Sequence, residues 1–306
     1  MARAIRRLKI GGVILAIVLS LAIVVMVPPS LVPAIAREVG VGGFPSSAYD
    51  FSVVPPPVIE DASRLATELF DDSQEKCDDF VNQLLATYLE SKDKDFTMFF
   101  NSGGWGWNLL EVSPDWHSIF TGIQSELDSL GYTLLWLNYQ RTTDPIEGRL
   151  DELMSMISLH PLKAKDLASR VQFLTDHLPD LRVILGGESN GTIFCDSVMN
   201  ILKDNPRVYS IQTGPPFWYK NIMLDRTLVM RGSGIIPDAF SQGDFLTIVC
   251  TNLEAFFGFP TAEDSGNILF YIGAPGHEYW WEDYGVSSQI TNFLKQMLGL
   301  EDDGLV

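Results

Sequence analysis

Ser189 stands in Gly187-Glu188-Ser189-Asn190-Gly191, a G-x-S-x-G spacing. It lies behind the branched apolar run Arg182-Val183-Ile184-Leu185 and ahead of a segment in which Ile193, Phe194, Ser197 and Val198 recur at helical spacing. The stretch reads as strand, sharp turn, helix. Glycines at 187 and 191 suit such a turn because backbone segments pass close together there, and the serine between them is held in a strained conformation with its hydroxyl projecting. A hydroxyl displayed this way is a nucleophile for acyl transfer once a base takes its proton. The plain alternative is a glycine-rich turn with no chemical purpose. Metal chemistry finds no support, because none of His117, His160, His177 and His277 has a second histidine or a cysteine three or four residues away. Cys77, Cys195 and Cys250 cannot complete a disulfide framework and read as buried thiols, with one bridge left open.

The strand, the G-x-S-x-G turn and the helix resemble the nucleophile elbow of the α/β-hydrolase family, with Ser189 as nucleophile. The resemblance spans roughly residues 95 to 299. It implies an oxyanion hole made by one N–H from the loop after an early strand, which Gly103 and Gly104 match by position, and by the N–H of Asn190. It also implies a base in the loop after the last strand, where Gly273-Ala274-Pro275-Gly276-His277-Glu278 stands, so His277 matches that role. The acid between them departs from the pattern. The family carries it a few residues after a strand, about where Ile235 stands, and here the first aspartate is Asp238. Asp244 is the next candidate, with Glu188, Glu278 and Asp283 as outsiders. The chain order Ser189, Asp238, His277 is the one the family uses.

Several elements must position these residues. Phe96–Phe100 reads as a core strand running into Asn101-Ser102-Gly103-Gly104-Trp105-Gly106-Trp107, and Tyr132–Tyr139, Val208–Gln212, Thr227–Arg231 and Ile268–Ile272 read as further strands. Helical patterning covers 61–70, 74–90, 113–130, 161–178, 244–257 and 286–298. Ser113-Pro114 has the form of a hydroxyl N-cap followed by proline, and Gly131 ends that helix. Strands matching the family's first two are weak or missing before Phe96. The fold expected is therefore α/β-hydrolase-like, a mainly parallel sheet of about six strands flanked by helices. The aromatic loop Thr213–Tyr219 follows a strand and is a candidate wall of an acyl or alcohol pocket. Leu153-Met154-Ser155-Met156-Ile157 reads first as a helix packing its apolar face and second as a substrate wall.

The N-terminus has a different character. Arg3, Arg6, Arg7 and Lys9 precede an apolar run from Ile10 to Val27, ended by Pro28 and Pro29. Eighteen residues at 1.5 Å each cover about 27 Å, close to the hydrocarbon thickness of a bilayer. That length favours a retained anchor over a cleaved signal peptide, although Ala34-Ile35-Ala36 fits a cleavage site. The basic cluster then stays in the cytoplasm and all that follows Pro28 lies outside it, the alternative being secretion. The division is a basic tail (1–9), a transmembrane anchor (10–27), a Pro/Gly-rich linker (28–58) with a short extended piece near Tyr49–Val54, and one α/β domain (59–306).

Beyond the five basic residues at or before Arg37, the chain holds 16 basic against 39 acidic residues, a formal −23. Such a surface repels phosphate backbones, which excludes nucleic acid as a partner. No G-x-G-x-x-G and no Walker lysine is present, so no cofactor is expected. These readings converge on a membrane-anchored extracytoplasmic serine hydrolase of carboxylic esters, with lipid esters and thioesters left open as substrates. The alternative class is a binding or scaffold protein that keeps the fold without turnover.

Overall fold

The computed structural model describes residues 40–42, 49–71, 73–104, 106, 109–110, 113–142, 152, 161–222, 224–256 and 273–300. Its centre is a six-stranded sheet of β1 (Gly40–Gly42), β2 (Phe96–Asn101), β3 (Leu134–Gln140), β4 (Arg182–Glu188), β5 (Val208–Thr213) and β6 (Thr227–Met230), in the order β1-β3-β2-β4-β5-β6. β2 to β6 run parallel, and β1 adds to the β3 edge antiparallel. Parallel strands are buried on both faces, which is why β2 and β4 read as nearly unbroken apolar runs.

Alternate side chains of β2 to β5 feed two cores. On one face Phe99, Leu137, Val183, Leu185 and Val208 pack under α1 (Pro56–Phe70), α2 (Gln74–Ser91), α4 (Pro161–His177) and α5 (Asn190–Ile201). On the other, Phe96, Met98, Ile184, Ile211 and Met230 pack under α3 (Pro114–Ser129) and α8 (Tyr284–Leu298). Two short helices, α6 (Ala239–Gln242) and α7 (Phe245–Phe256), follow β6.

The strand order explains where a site can form. The chain leaves β2 towards β3 on one side, and it leaves β4 towards β5 on the other. Because β2 and β4 are neighbours, their outgoing loops diverge and open a crevice at their C-terminal ends, the position where open α/β sheets bind ligands.

Five of the strands expected from sequence are present, and the sheet is mainly parallel. Differences have local causes. The piece expected to be extended near Tyr49–Val54 is a 3-10 turn at Phe51–Val53, stabilised by the Asp50 carboxylate accepting from Ser52 N at 2.9 Å. A strand, β1, lies in the stretch read as linker. Helix α1 begins at Pro56, ahead of the expected domain start at 59, and buries Val58, Ala62 and Ala66 along one face. Ser113 sits at the N-cap of α3, but its hydroxyl makes no capping bond, so the proline alone marks that start. Cys195 is buried as expected, whereas Cys250 is exposed and Cys77 half-buried, and all three are free thiols. The apolar run 10–27, the strand expected at 268–272 and the patch 153–157 lie outside the described residues. Among the described residues no helix is long and apolar enough to cross a membrane.

Candidate active site

Ser189 is the single residue between β4 and α5, at φ 49° and ψ −117°. Among the described residues only Asp71 is another non-glycine with positive φ. A side chain in that region costs roughly 1–3 kcal/mol and persists only where its surroundings over-determine it. Here they do. A Cβ on Gly187 would stand 2.8 Å from Cys195 Sγ, and one on Gly191 would stand 2.2 Å from the Asn101 carbonyl oxygen. The two glycines thus let α5 close onto β4 and onto the end of β2. Ser189 N donates to the Thr213 carbonyl at 2.9 Å, and the Ser189 carbonyl accepts from Thr192 N at 3.0 Å and Thr192 Oγ1 at 2.7 Å.

The residue after Thr213 carries the link to the histidine. Gly214, at φ 61°, lies directly under the His277 imidazole, and a Cβ there would be 2.5 Å from the ring carbon Cε1. His277 Nδ1 is 3.1 and 3.0 Å from the two carboxylate oxygens of Asp238. The Asp238 turn and the histidine loop are tied together by Ala239 N donating to the Pro275 carbonyl at 3.0 Å. Ser189 and His277 therefore flank one short segment, Thr213–Gly214. Among the described residues the imidazole bonds to Asp238 alone, and no bond joins it to the Ser189 hydroxyl.

Asp238 is fully buried and caps α6. Its Oδ1 accepts from Phe240 N and Ser241 N, both at 2.9 Å, and its Oδ2 accepts from Tyr279 OH at 2.7 Å and lies 2.7 Å from Ser241 Oγ. Burial alone would raise this carboxyl, but the hydrogen bond and charge of His277 and the donors of Ser241 outweigh it, holding the group below the usual carboxylate range. For His277 burial disfavours the charged ring, yet the hydrogen bond and charge of Asp238, then the charges of Glu188 and Asp115, lift it above its ordinary 6.5. With an ionised Asp238 at Nδ1, the proton sits on Nδ1 and Nε2 is left to accept.

Opposite the histidine lies the loop after β2. Gly103 N donates to Glu188 Oε2 at 2.9 Å, so this expected oxyanion donor is engaged. Gly104, at φ 55°, is exposed, and its carbonyl accepts from Asn190 Nδ2 at 3.3 Å. Asn190 is the first residue of α5, where helical N–H groups have no intrahelical partner. Asp115, in the first turn of α3, is buried and accepts from Tyr279 N at 3.4 Å. Burial pushes its carboxyl up, against the Trp116 and Tyr279 N–H groups and the His277 charge. Burial and the Asp115 charge push Glu188 up to about 7, against the Gly103 N–H, His277 and Arg141.

The expected positions thus separate into those the fold gathers and those it does not. Ser189, Asn190, Gly103, Gly104, Asp238 and His277 share one rim. Asp244 is exposed and bonds Thr247, and Glu278 is exposed and accepts from Trp280 Nε1 at 3.3 Å, whereas the carboxylate bonded to the imidazole is that of Asp238. Glu188, an outsider as the acid, faces the rim in a different role. Asp115 reads in sequence as an ordinary first-turn acid, and its place beside the rim emerges only where α3 meets the histidine loop through the Tyr279 N–H. Around the histidine runs an aromatic chain from Phe240, 4.8 Å from the imidazole, through Trp218 to Phe217 and Phe245. This puts the Thr213–Tyr219 loop beside the rim. Among the described residues no cluster of side chains could hold a metal ion.

No protein-family model and no curated protein matches the sequence. Among solved structures, the chain is similar to a Trichoderma reesei cutinase in complex with a C11Y4 phosphonate inhibitor, at 16% identity and a TM-score of 0.39 over 81% of this chain and 94% of that one. At that identity and TM-score the likeness assigns no chemistry, which rests on the residues themselves.

Proposed function

We propose that this protein is a serine hydrolase of carboxylic esters, of the α/β-hydrolase kind, with Ser189 as nucleophile, His277 as base and Asp238 as the acid behind it. One observation carries the reading: a serine strained at φ 49° adjoins the segment that supports an imidazole paired with a buried carboxylate. Ser189 Oγ attacks the ester carbonyl carbon while His277 Nε2 takes the hydroxyl proton. The tetrahedral oxyanion collapses, and His277 returns the proton to the departing alcohol. Water, deprotonated by the same Nε2, then releases the acid and regenerates the serine. Asp238 stays ionised, fixes the tautomer and stabilises the imidazolium. The N–H of Asn190 and the N–H of Gly103 are the proposed oxyanion donors.

Exposed Ile235, Ile236 and Leu246, at 67%, 43% and 75%, accompany the aromatic chain beside His277, and a surface of this kind suits an apolar acyl or alcohol group. Hydrolysis of p-nitrophenyl esters of increasing chain length tests the reading. The expected result is turnover that improves with chain length and falls by several orders of magnitude in Ser189→Ala; equal rates in the two proteins would contradict it. The rival is a binding protein without turnover, favoured by the Gly103 amide being taken by Glu188.

A further inference from the structure

We propose that Glu188 is a proton-controlled plug on the Gly103 amide, closing the oxyanion site when ionised and opening it when protonated. The proposal rests on the hydrolase reading above and concerns the regulation of that site. An N–H carries one hydrogen, and that of Gly103 points at Glu188 Oε2 from 2.9 Å. It cannot also serve a developing oxyanion. The three groups are confined: a Cβ on Gly103 would stand 3.0 Å from Ser189 Cβ and 3.3 Å from Glu188 Cδ. Because Glu188 is covalently next to Ser189, its backbone cannot withdraw from the site, and rotation of its side chain is what frees the amide.

Protonation governs how tightly the plug holds. An ionised carboxylate makes a charge-assisted bond roughly twice as strong as a neutral acid does, and it repels an oxyanion forming beside it. The groups facing Glu188 come from three elements. Asp115 on α3 disfavours its ionised form, whereas His277 across the rim and the buried Arg141 after β3 favour it; Asp238 lies behind His277. Their sum with burial leaves the plug titrating at about 7, while the imidazole is lifted above its ordinary 6.5. The base works when His277 is neutral, so its share grows with pH, while the open amide's share shrinks. A site built this way turns over best at an intermediate pH. A simple tether would behave differently, since losing it would slow the reaction at every pH.

The test is kcat/KM for p-nitrophenyl butyrate between about pH 5 and 10, in the full chain and its Glu188→Gln variant. Above the titrations of both Glu188 and His277 the wild-type rate is expected to fall about tenfold per pH unit, whereas Glu188→Gln stays level there and exceeds wild type by about tenfold or more near pH 9. A level wild-type profile, or a Glu188→Gln variant slower than wild type throughout, overturns the plug. A second readout needs no turnover. In Ser189→Ala protein the Gly103 amide resonance should titrate near neutrality and stop doing so when Glu188→Gln is added. If esters are cleaved and that resonance does not titrate, the plug falls and the hydrolase stands. If it titrates but no ester is cleaved and no fluorophosphonate reacts at any pH, the hydrolase reading falls, and the catalytic meaning of the plug with it.

Discussion

Asp238 keeps a charge inside the protein by exhausting its acceptor capacity. Two backbone N–H groups, the Tyr279 and Ser241 hydroxyls and the His277 ring surround its two oxygens. Replacing it by asparagine leaves the shape but removes the charge and the tautomer preference. Asp238→Asn is expected to lower kcat by about 10⁴, as with the corresponding change in other serine enzymes, and to move the acid limb of the rate profile to lower pH. The sign follows from the pair. His277 is raised by Asp238, so it becomes neutral only above its ordinary range, and losing the carboxylate lets it do so earlier. An acid limb unmoved in the variant would remove Asp238 from the mechanism. The same shifts bear on stability. The depressed Asp238 contributes above its unfolded value of 3.8 and is lost as pH falls through its folded value, while the raised His277 contributes below 6.5 and is lost as pH rises through its folded value. The pair therefore stabilises most between roughly pH 4 and 6.5. Ser189 and His277 were legible because each sits in a local pattern of its own. Asp238 was harder, because β6 ends at Met230 and the chain then makes a Gly232–Pro237 bridge with Ile235 exposed at its tip, which displaces the acid to the α6 N-cap. Glu188 reveals its partner only when the loop after β2 folds over it.

The turn between β4 and α5 stores strain that is specific to a side chain at 189. Ser189→Gly removes the Cβ at φ 49° and is expected to unfold about 1 kcal/mol later in urea than Ser189→Ala, after the greater entropy glycine loses on folding is subtracted. Equal midpoints would mean the turn is relaxed. Gly191→Ala acts in the opposite sense: its methyl would sit 2.2 Å from the Asn101 carbonyl oxygen, between two elements that cannot part without opening the sheet. Overpacking of this kind costs about 1–3 kcal/mol or more, so a clear loss in thermal midpoint is expected; an unchanged midpoint would contradict the packing described. Elements of this type are legible when side chains decide them. β2 and β4 are buried on both faces and read as nearly unbroken apolar runs, while prolines open α1, α3 and α4 and Gly299 ends α8. β1 gave no such signal, since a three-residue Gly-Val-Gly strand is too short to show periodicity. The 3-10 turn at Phe51–Val53 likewise depends on one Asp50 contact that no periodicity encodes.

At the scale of the molecule, the divergence of the chain at β2 and β4 makes the crevice, and everything proposed for the chemistry lines it. The nearest signal in sequence was the order of three short motifs. Their convergence depends on the strand order, which local patterns do not contain. Charge and anchoring also belong to this scale. With a formal net charge of −18, the chain repels itself and polyanions alike. We propose that residues 10–27 hold the chain in a membrane, with the acidic domain outside the cytoplasm. The full chain should then stay with the membrane fraction through an alkaline carbonate wash, whereas a chain of residues 38–306 should not; full chain in the supernatant would contradict the anchor.

The proposed chemistry requires the Ser189 hydroxyl to be an activated nucleophile. A fluorophosphonate reacts covalently with such a hydroxyl, and mass spectrometry of the digested protein locates the adduct. One adduct is expected, on the peptide carrying Ser189, absent in Ser189→Ala and strongly slowed in His277→Ala. An adduct elsewhere, or labelling that survives Ser189→Ala, would contradict it.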